Sequence, residues 1–153
     1  MPDRLYTVDR VIDGDTIEVS VGGSEKVPVR LLGINAPETV DPRKQPQCYG
    51  KEASDKTKEL LTAKAQVKIH IDSVKGPTEK YGRLLAYVTR ASDGLLINKY
   101  LIENGFAREY TYENAYGFQS EFRAAEQAAK ESNLGLWNPK NCPNSNYRAF
   151  KNR

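Results

Sequence analysis

Apolar and polar residues alternate along the first third of the chain and give way to longer-period patterns after it. Residues 5–11 read as a strand running into Asp13-Gly14-Asp15, a strong turn signal. In residues 16–21, Ile17, Val19 and Val21 fall on one face, the two-residue period of a half-buried strand. Gly22-Gly23 marks the next turn, and residues 27–34 give a third strand, so the spacing predicts a meander. Residues 39–47 hold Pro42 and Pro46 among polar neighbours and are predicted to be a surface loop. Residues 51–65 place Ala53, Leu60, Leu61 and Ala65 near helical spacing. Val67, Ile69 and Ile71 alternate as a fourth strand, Gly76-Pro77 makes a turn, and residues 84–89 supply a fifth. Residues 96–104 predict a short helix closed by Gly105, and residues 118–131 a third helix with Phe122, Ala125 and Ala129 on one stripe.

Five short strands with a helix after the third predict an α+β chain that is mainly β. The matching architecture is an OB-fold, a five-stranded barrel, with three helices; such barrels commonly bind oligonucleotides. At 153 residues the chain is expected to be one domain, with a core over residues 5–138 and a tail over 139–153. It carries 39% hydrophobic and 28% charged residues, a globular balance. Apolar runs stop at four or five residues, so no membrane span is expected. No secretory signal is visible behind Met1, which leaves a cytosolic chain or one whose leader was removed. A net charge of +3 is compatible with a polyanionic partner without arguing for one. One histidine and two cysteines exclude a closed zinc site of the usual kind. Cys48 and Cys142 are either two thiols or one disulfide.

Four clusters carry candidate chemistry. Asp13-Gly14-Asp15-Thr16 offers two carboxylates suited to a hard cation, or else is a plain hairpin turn. An EF-hand is excluded, because its sixth position would be Glu18 and its twelfth Ser24. Arg30 lies in an apolar strand and shares the parity of Leu32 and Ile34, so it needs an anion, whether a ligand or a structural carboxylate. Asn35 and Glu38 follow at the strand end, with Pro37 fixing the backbone between them. Lys80-Tyr81-Gly82-Arg83 is a basic turn whose arginine has the planar fork that matches a phosphate. Tyr110-Thr111-Tyr112, near Tyr116 and Phe118, puts two rings on one face, able to stack on bases or simply to cover an edge. His70, between Ile69 and Ile71, is read as structural. Carboxylates, two arginines and tyrosines together form the equipment of phosphoryl transfer.

In the order and spacing of these motifs the chain resembles the staphylococcal nuclease-like, or thermonuclease, family over residues 8–137. The resemblance is carried by Val11-Ile12-Asp13-Gly14-Asp15-Thr16, by Arg30-Leu31-Leu32-Gly33-Ile34-Asn35-Ala36-Pro37-Glu38-Thr39 and by Tyr49-Gly50-Lys51-Glu52-Ala53-Ser54. Lys80-Tyr81-Gly82-Arg83 with Leu85-Ala86-Tyr87, and Leu134-Gly135-Leu136-Trp137, complete it. It implies a calcium-dependent nuclease acting on single-stranded or loosened DNA and RNA, with little sequence preference and 3′-phosphate products. It implies Asp15, Asn35 and the Ala36 carbonyl as ligands of one Ca2+, with Asp13 orienting the site from behind them. Glu38 would position or deprotonate the attacking water, and Arg30 and Arg83 would bind the scissile phosphate. Lys80, Tyr81, Tyr110 and Tyr112 would hold the neighbouring nucleotide. The same resemblance implies a secreted, cell-surface or periplasmic monomer, with Cys48 and Cys142 joined so that the tail is tied to the 39–47 loop. Two departures stand out: Asn35 replaces an aspartate of the best-known members, and the tyrosine segment lies one residue nearer Gly105. Asn35 keeps an oxygen donor but removes a negative charge, which predicts weaker metal binding. The contrary readings are a catalytically weak or inactive nucleic-acid-binding barrel and a protein-interaction domain.

Overall fold

A tight turn at Gly14-Asp15 sets the start of the barrel. Strand β1 (Leu5–Asp13) folds back through Gly14-Asp15 onto β2 (Thr16–Val21), which pairs along its other edge with β3 (Glu25–Leu31). These features come from a computed structural model that describes residues 4–22, 25–39 and 47–143. Gly23 of the second expected turn, most of the 39–47 loop and the last ten residues of the expected tail lie outside the described residues.

Strand β5 (Gln66–His70) joins β1, and β6 (Leu84–Arg90) joins both β5 and β3, which closes the barrel in the order β1-β2-β3-β6-β5. Every pairing is antiparallel except β3 with β6, which run parallel with Arg30 opposite Leu85. Alternation drives Val8, Ile17, Val19, Val29, Leu31, Val67, Ala86 and Val88 wholly out of water. This is the expected α+β barrel of the OB type, with its three helices: α1 (Gly50–Leu60), α2 (Ile97–Glu103) and α3 (Gln119–Glu131).

The expected third strand is broken. It stops at Leu31, and Ile34–Asn35 form a separate strand, β4, paired with β7 (Arg108–Glu109). Gly33 makes the break, at φ +83°, where a Cβ would stand 2.7–2.8 Å from the rings of Tyr116 and Phe122. The parity argument for Arg30 fails for that reason: Val29 and Leu31 face the core, and Arg30 faces the other way. Helix α1 also ends five residues early, because Lys64 N–H and the Ala65 carbonyl bond to the backbone of Val8.

Helix α2 is pinned to the parallel seam by Asn98, which is fully buried. Its side-chain oxygen accepts the Val88 N–H, and its amide donates to the carbonyls of Leu32 and Ala86. Apart from the main core, Leu136 and Cys142 pack with Cys48, Tyr49 and Trp137. Cys48 and Cys142 are disulfide-bonded, with Cα atoms 5.8 Å apart across 94 residues of sequence.

Candidate active site

A cleft of about 510 Å³ opens where the β1–β2 turn, the end of β3, β4, the segment before β6 and the tyrosine segment converge. Asp13, Asp15, Arg30, Asn35, Glu38, Lys80, Tyr81, Arg83, Tyr110 and Tyr112 all line it, although they span a hundred residues of chain. Ala36 is buried beside it. His70 lies elsewhere, on β5, where its Nε2 meets the Thr89 hydroxyl at 3.3 Å.

The acidic wall is built by the turn after β1. Asp15 is 2% exposed; its Oδ2 accepts the Ala36 N–H at 2.8 Å and its Oδ1 accepts the Thr16 hydroxyl at 3.1 Å. Asp13 Oδ1 accepts the Gly14 N–H and the Thr39 hydroxyl, at 2.9 and 3.0 Å. Burial, a hydrogen bond shared with Glu38 and the nearby charge of Asp15 push the Asp13 carboxyl up to about 7. The carboxyl groups of Asp13, Asp15 and Glu38 thus share one side of the cleft.

The two arginines are held differently. Arg30 Nη1 donates to the carbonyls of Leu31 and Ile34, at 2.9 and 2.8 Å, so its guanidinium wraps the break between β3 and β4. Its Nη2 stands 3.4 Å from Asp15 Oδ2 and 3.4 Å from Asn35 Oδ1. Arg83 is gripped by Glu79, which accepts the Arg83 backbone N–H at 2.8 Å and Nη2 at 2.9 Å. Burial alone would raise the Glu79 carboxyl, but the hydrogen bonds and charge of Arg83 outweigh it and hold it below the usual range. Arg83 Nε is buried and has no hydrogen-bond partner among the described residues. A buried charged donor left in that state is costly, and an anion in the cleft would relieve it.

The far rim is aromatic and basic. The rings of Tyr110 and Tyr112 stack with centroids 6.4 Å apart, and Lys80 Nζ lies over both Tyr112 and Tyr81, 5.3 and 5.1 Å from their centroids. Tyr110 is held by its N–H, which donates to the Gly33 carbonyl, as does the hydroxyl of Tyr116. Sequence reasoning missed Lys75 and Glu79. Lys75 Nζ donates to the carbonyls of Tyr112 and Asn114, tying the segment before β6 to the tyrosine segment. Its only sequence signal is a positive charge beside a turn glycine, which nothing sets apart from other surface lysines.

Among the described residues no three acidic, histidine or cysteine side chains converge as a metal site by themselves. The donors are nonetheless of the right kind for a hard cation. The Asp15 carboxylate and the Asn35 amide oxygen both lie 3.4 Å from one guanidinium nitrogen, so they are at most 6.8 Å apart. Both are nearly buried, and the raised Asp13 carboxyl marks a place where added positive charge is favourable. Ca2+ accepts such amide and carboxylate oxygens and completes its shell with backbone carbonyls and water.

The family described as Staphylococcal nuclease homologue matches residues 28–139. The chain is 38% identical over 135 residues to the thermonuclease of Staphylococcus hyicus, across 88% of this chain and 76% of that protein. It is 42% identical over 133 residues to the endonuclease YncB of Bacillus subtilis (strain 168), and 41% identical over 133 residues to the SPbeta prophage-derived endonuclease YokF of the same strain. Both alignments take in 86% of this chain, but they reach only 60% and 43% of those two proteins, under two thirds of their length. With the family match over most of its length and a barrel of the corresponding type, the chain belongs to the staphylococcal nuclease family.

Proposed function

We propose that the chain is a calcium-dependent nuclease that hydrolyses phosphodiester bonds in single-stranded or loosened DNA and RNA. The observation that carries this reading is Arg83, whose buried Nε has no hydrogen-bond partner among the described residues, in the lining of a cleft that also holds Arg30 and the carboxyl groups of Asp13, Asp15, Glu38 and Glu79. A phosphate oxygen is the anion that such a fork fits.

Asp15, Asn35 and the Ala36 carbonyl would hold the ion, with Asp13 behind them. When bound, Ca2+ would supply positive charge to a phosphate oxygen and to the attacking water. Glu38 orients that water and accepts its proton as the oxygen bonds to phosphorus. The bond from phosphorus to the 5′ oxygen breaks and that oxygen takes a proton from solvent water, leaving a 3′-phosphate and a 5′-hydroxyl. Arg30 and Arg83 face the equatorial oxygens, where negative charge grows, and are fixed beforehand by Leu31, Ile34 and Glu79. Tyr110, Tyr112, Tyr81 and Lys80 hold the adjacent nucleotide by stacking and by its phosphate, which tolerates any base. Stacking needs an unstacked base, so duplex DNA is cut where it opens. The disulfide suits an exported protein, because such bonds persist in oxidising compartments.

Release of acid-soluble nucleotide from denatured DNA, with millimolar Ca2+ or with chelator, tests the reading. Activity should require Ca2+ and fall on the order of 10³ to 10⁵-fold in Arg83→Ala, as for arginines in phosphoryl transfer. Glu38→Gln should lose activity as well. Asn35 favours one other reading, a barrel that binds nucleic acid without cutting it, and DNA binding with no product at any Ca2+ level would establish that instead.

A further inference from the structure

Glu38 lies beyond the end of β4, so no sheet ladder holds it. Its backbone is clasped by Gln47. The Gln47 N–H donates to the Glu38 carbonyl at 2.9 Å, and the Gln47 Oε1 accepts the Glu38 N–H at 2.9 Å. Helix α1 starts flush behind this clasp. Gly50 N–H donates to the Gln47 carbonyl, and a Cβ on Gly50 would stand 2.6 Å from Thr39 Cγ2 and 2.9 Å from the Glu38 carbonyl oxygen. The residue next to Gln47 is Cys48, bonded to Cys142. Cys142 is 1% exposed and packed on Leu136, just beyond the turn Gly135–Trp137. A covalent anchor from the far end of the chain therefore stands one residue from the group that grips Glu38.

We infer that Gln47 is a positioning residue for Glu38, and that the Cys48–Cys142 disulfide keeps Gln47 in register, so that reducing the bond lowers turnover. The inference rests on Glu38 activating the attacking water. Reduction by a dithiol transfers two electrons and two protons: the sulfur–sulfur bond breaks, Cys48 and Cys142 become thiols, and the reductant closes its own disulfide. Segment 47–49 then loses its covalent tie to Cys142 and is held by its hydrogen bonds and by packing against Leu136, Trp137 and Phe106. The Glu38 N–H loses its acceptor whenever Gln47 moves away. Small misplacements of a reacting group are costly in rate, while substrate binding through the tyrosines and lysines on the opposite rim is untouched.

Steady-state kinetics on denatured DNA, for wild type, Gln47→Ala and Gln47→Glu, each oxidised and dithiol-reduced, test this. Gln47→Ala should lower kcat by roughly 10- to 100-fold and leave KM within about 2-fold, whereas Gln47→Glu, which keeps the acceptor oxygen, should stay within about 3-fold of wild type. Reduction should lower the wild-type kcat by roughly 10-fold and have little further effect on Gln47→Ala, because both act through one clasp. Unchanged kcat in Gln47→Ala, or a reduction effect fully additive with that substitution, overturns the inference. Amide hydrogen exchange at Glu38 separates this outcome from a failure of the nuclease reading. Even in a chain that cuts nothing, exchange at Glu38 should speed up by roughly 10-fold or more in Gln47→Ala and on reduction, and unchanged rates overturn the inference there too.

Discussion

Replacing Asp72 with Asn probes how the two segments over the cleft are held together. Asp72 is 6% exposed and accepts four hydrogen bonds. Oδ1 takes the N–H groups of Val74 and Lys75, each at 2.9 Å; Oδ2 takes the Tyr87 hydroxyl at 2.6 Å and the Gly117 N–H at 2.7 Å. One carboxylate thus joins the segment that carries Lys75, Lys80 and Tyr81 to the start of α3 and to β6. Asparagine fits the same space but has one oxygen, and its NH2 would face two donors. Two hydrogen bonds to a charged acceptor are lost, each worth about 1.5–3 kcal/mol, so the cost at pH 7 should be about 3–6 kcal/mol. That is a large share of the ~5–15 kcal/mol that holds an ordinary domain. Burial pushes the Asp72 carboxyl up, but its four donors outweigh burial and hold it below the usual range. A lowered folded-state value means that the stabilisation is complete above the unfolded value of about 3.9 and is lost as pH falls through the folded one. Urea unfolding followed by Trp137 fluorescence, at pH 7 and near pH 3, reads both effects. A loss under about 1 kcal/mol at pH 7, or an equal loss at both pH values, refutes the account.

Two further outcomes are accessible to simple assays. Asn35→Asp restores a charge beside Asp15 and should tighten Ca2+ binding by about tenfold in calorimetric titration, since affinity follows the charge of the ligands; unchanged affinity removes Asn35 from the ligand set. Gly33→Ala places a Cβ against two rings at a left-handed backbone position, and should cost about 2–4 kcal/mol; a thermal midpoint within a degree of wild type would show that the β3–β4 break relaxes easily.

The barrel was legible because its strands are buried on one side, so Ile17 and Val19, or Val67 and Ile69, declare their face by alternation alone. The third strand deceived because Leu31, Leu32 and Ile34 form one apolar run. Only a tertiary feature, the packing of Gly33 under Tyr116 and Phe122, shows that the run is broken. Residues 61–65 have helical composition, yet the ladder contact with Val8 takes them out of α1. The site divides in the same way. Asp13, Asp15, Arg30 and Arg83 sit in compact motifs whose residue types already suggest an anion and a cation. Gln47, Asp72, Lys75 and Asn98 act on backbone groups 9, 45, 37 and 66 residues away, and no local pattern announces a polar side chain with a distant carbonyl or amide to serve.

The parallel seam between β3 and β6 also governs the order in which the molecule takes shape. Val29 meets Leu84, 55 residues later, and Asn98 locks that seam only after α2 is present. The β1–β2–β3 meander can pair as it leaves the ribosome, but it has an open edge until β6 arrives. The β3 residue Arg30 is therefore in place long before Arg83 crosses to it, and a chain halted near residue 80 would expose a basic and apolar strand edge with no finished cleft. Closure of the ring and the bringing of Arg83 to the cleft that Arg30 lines are one event in the life of the nascent chain.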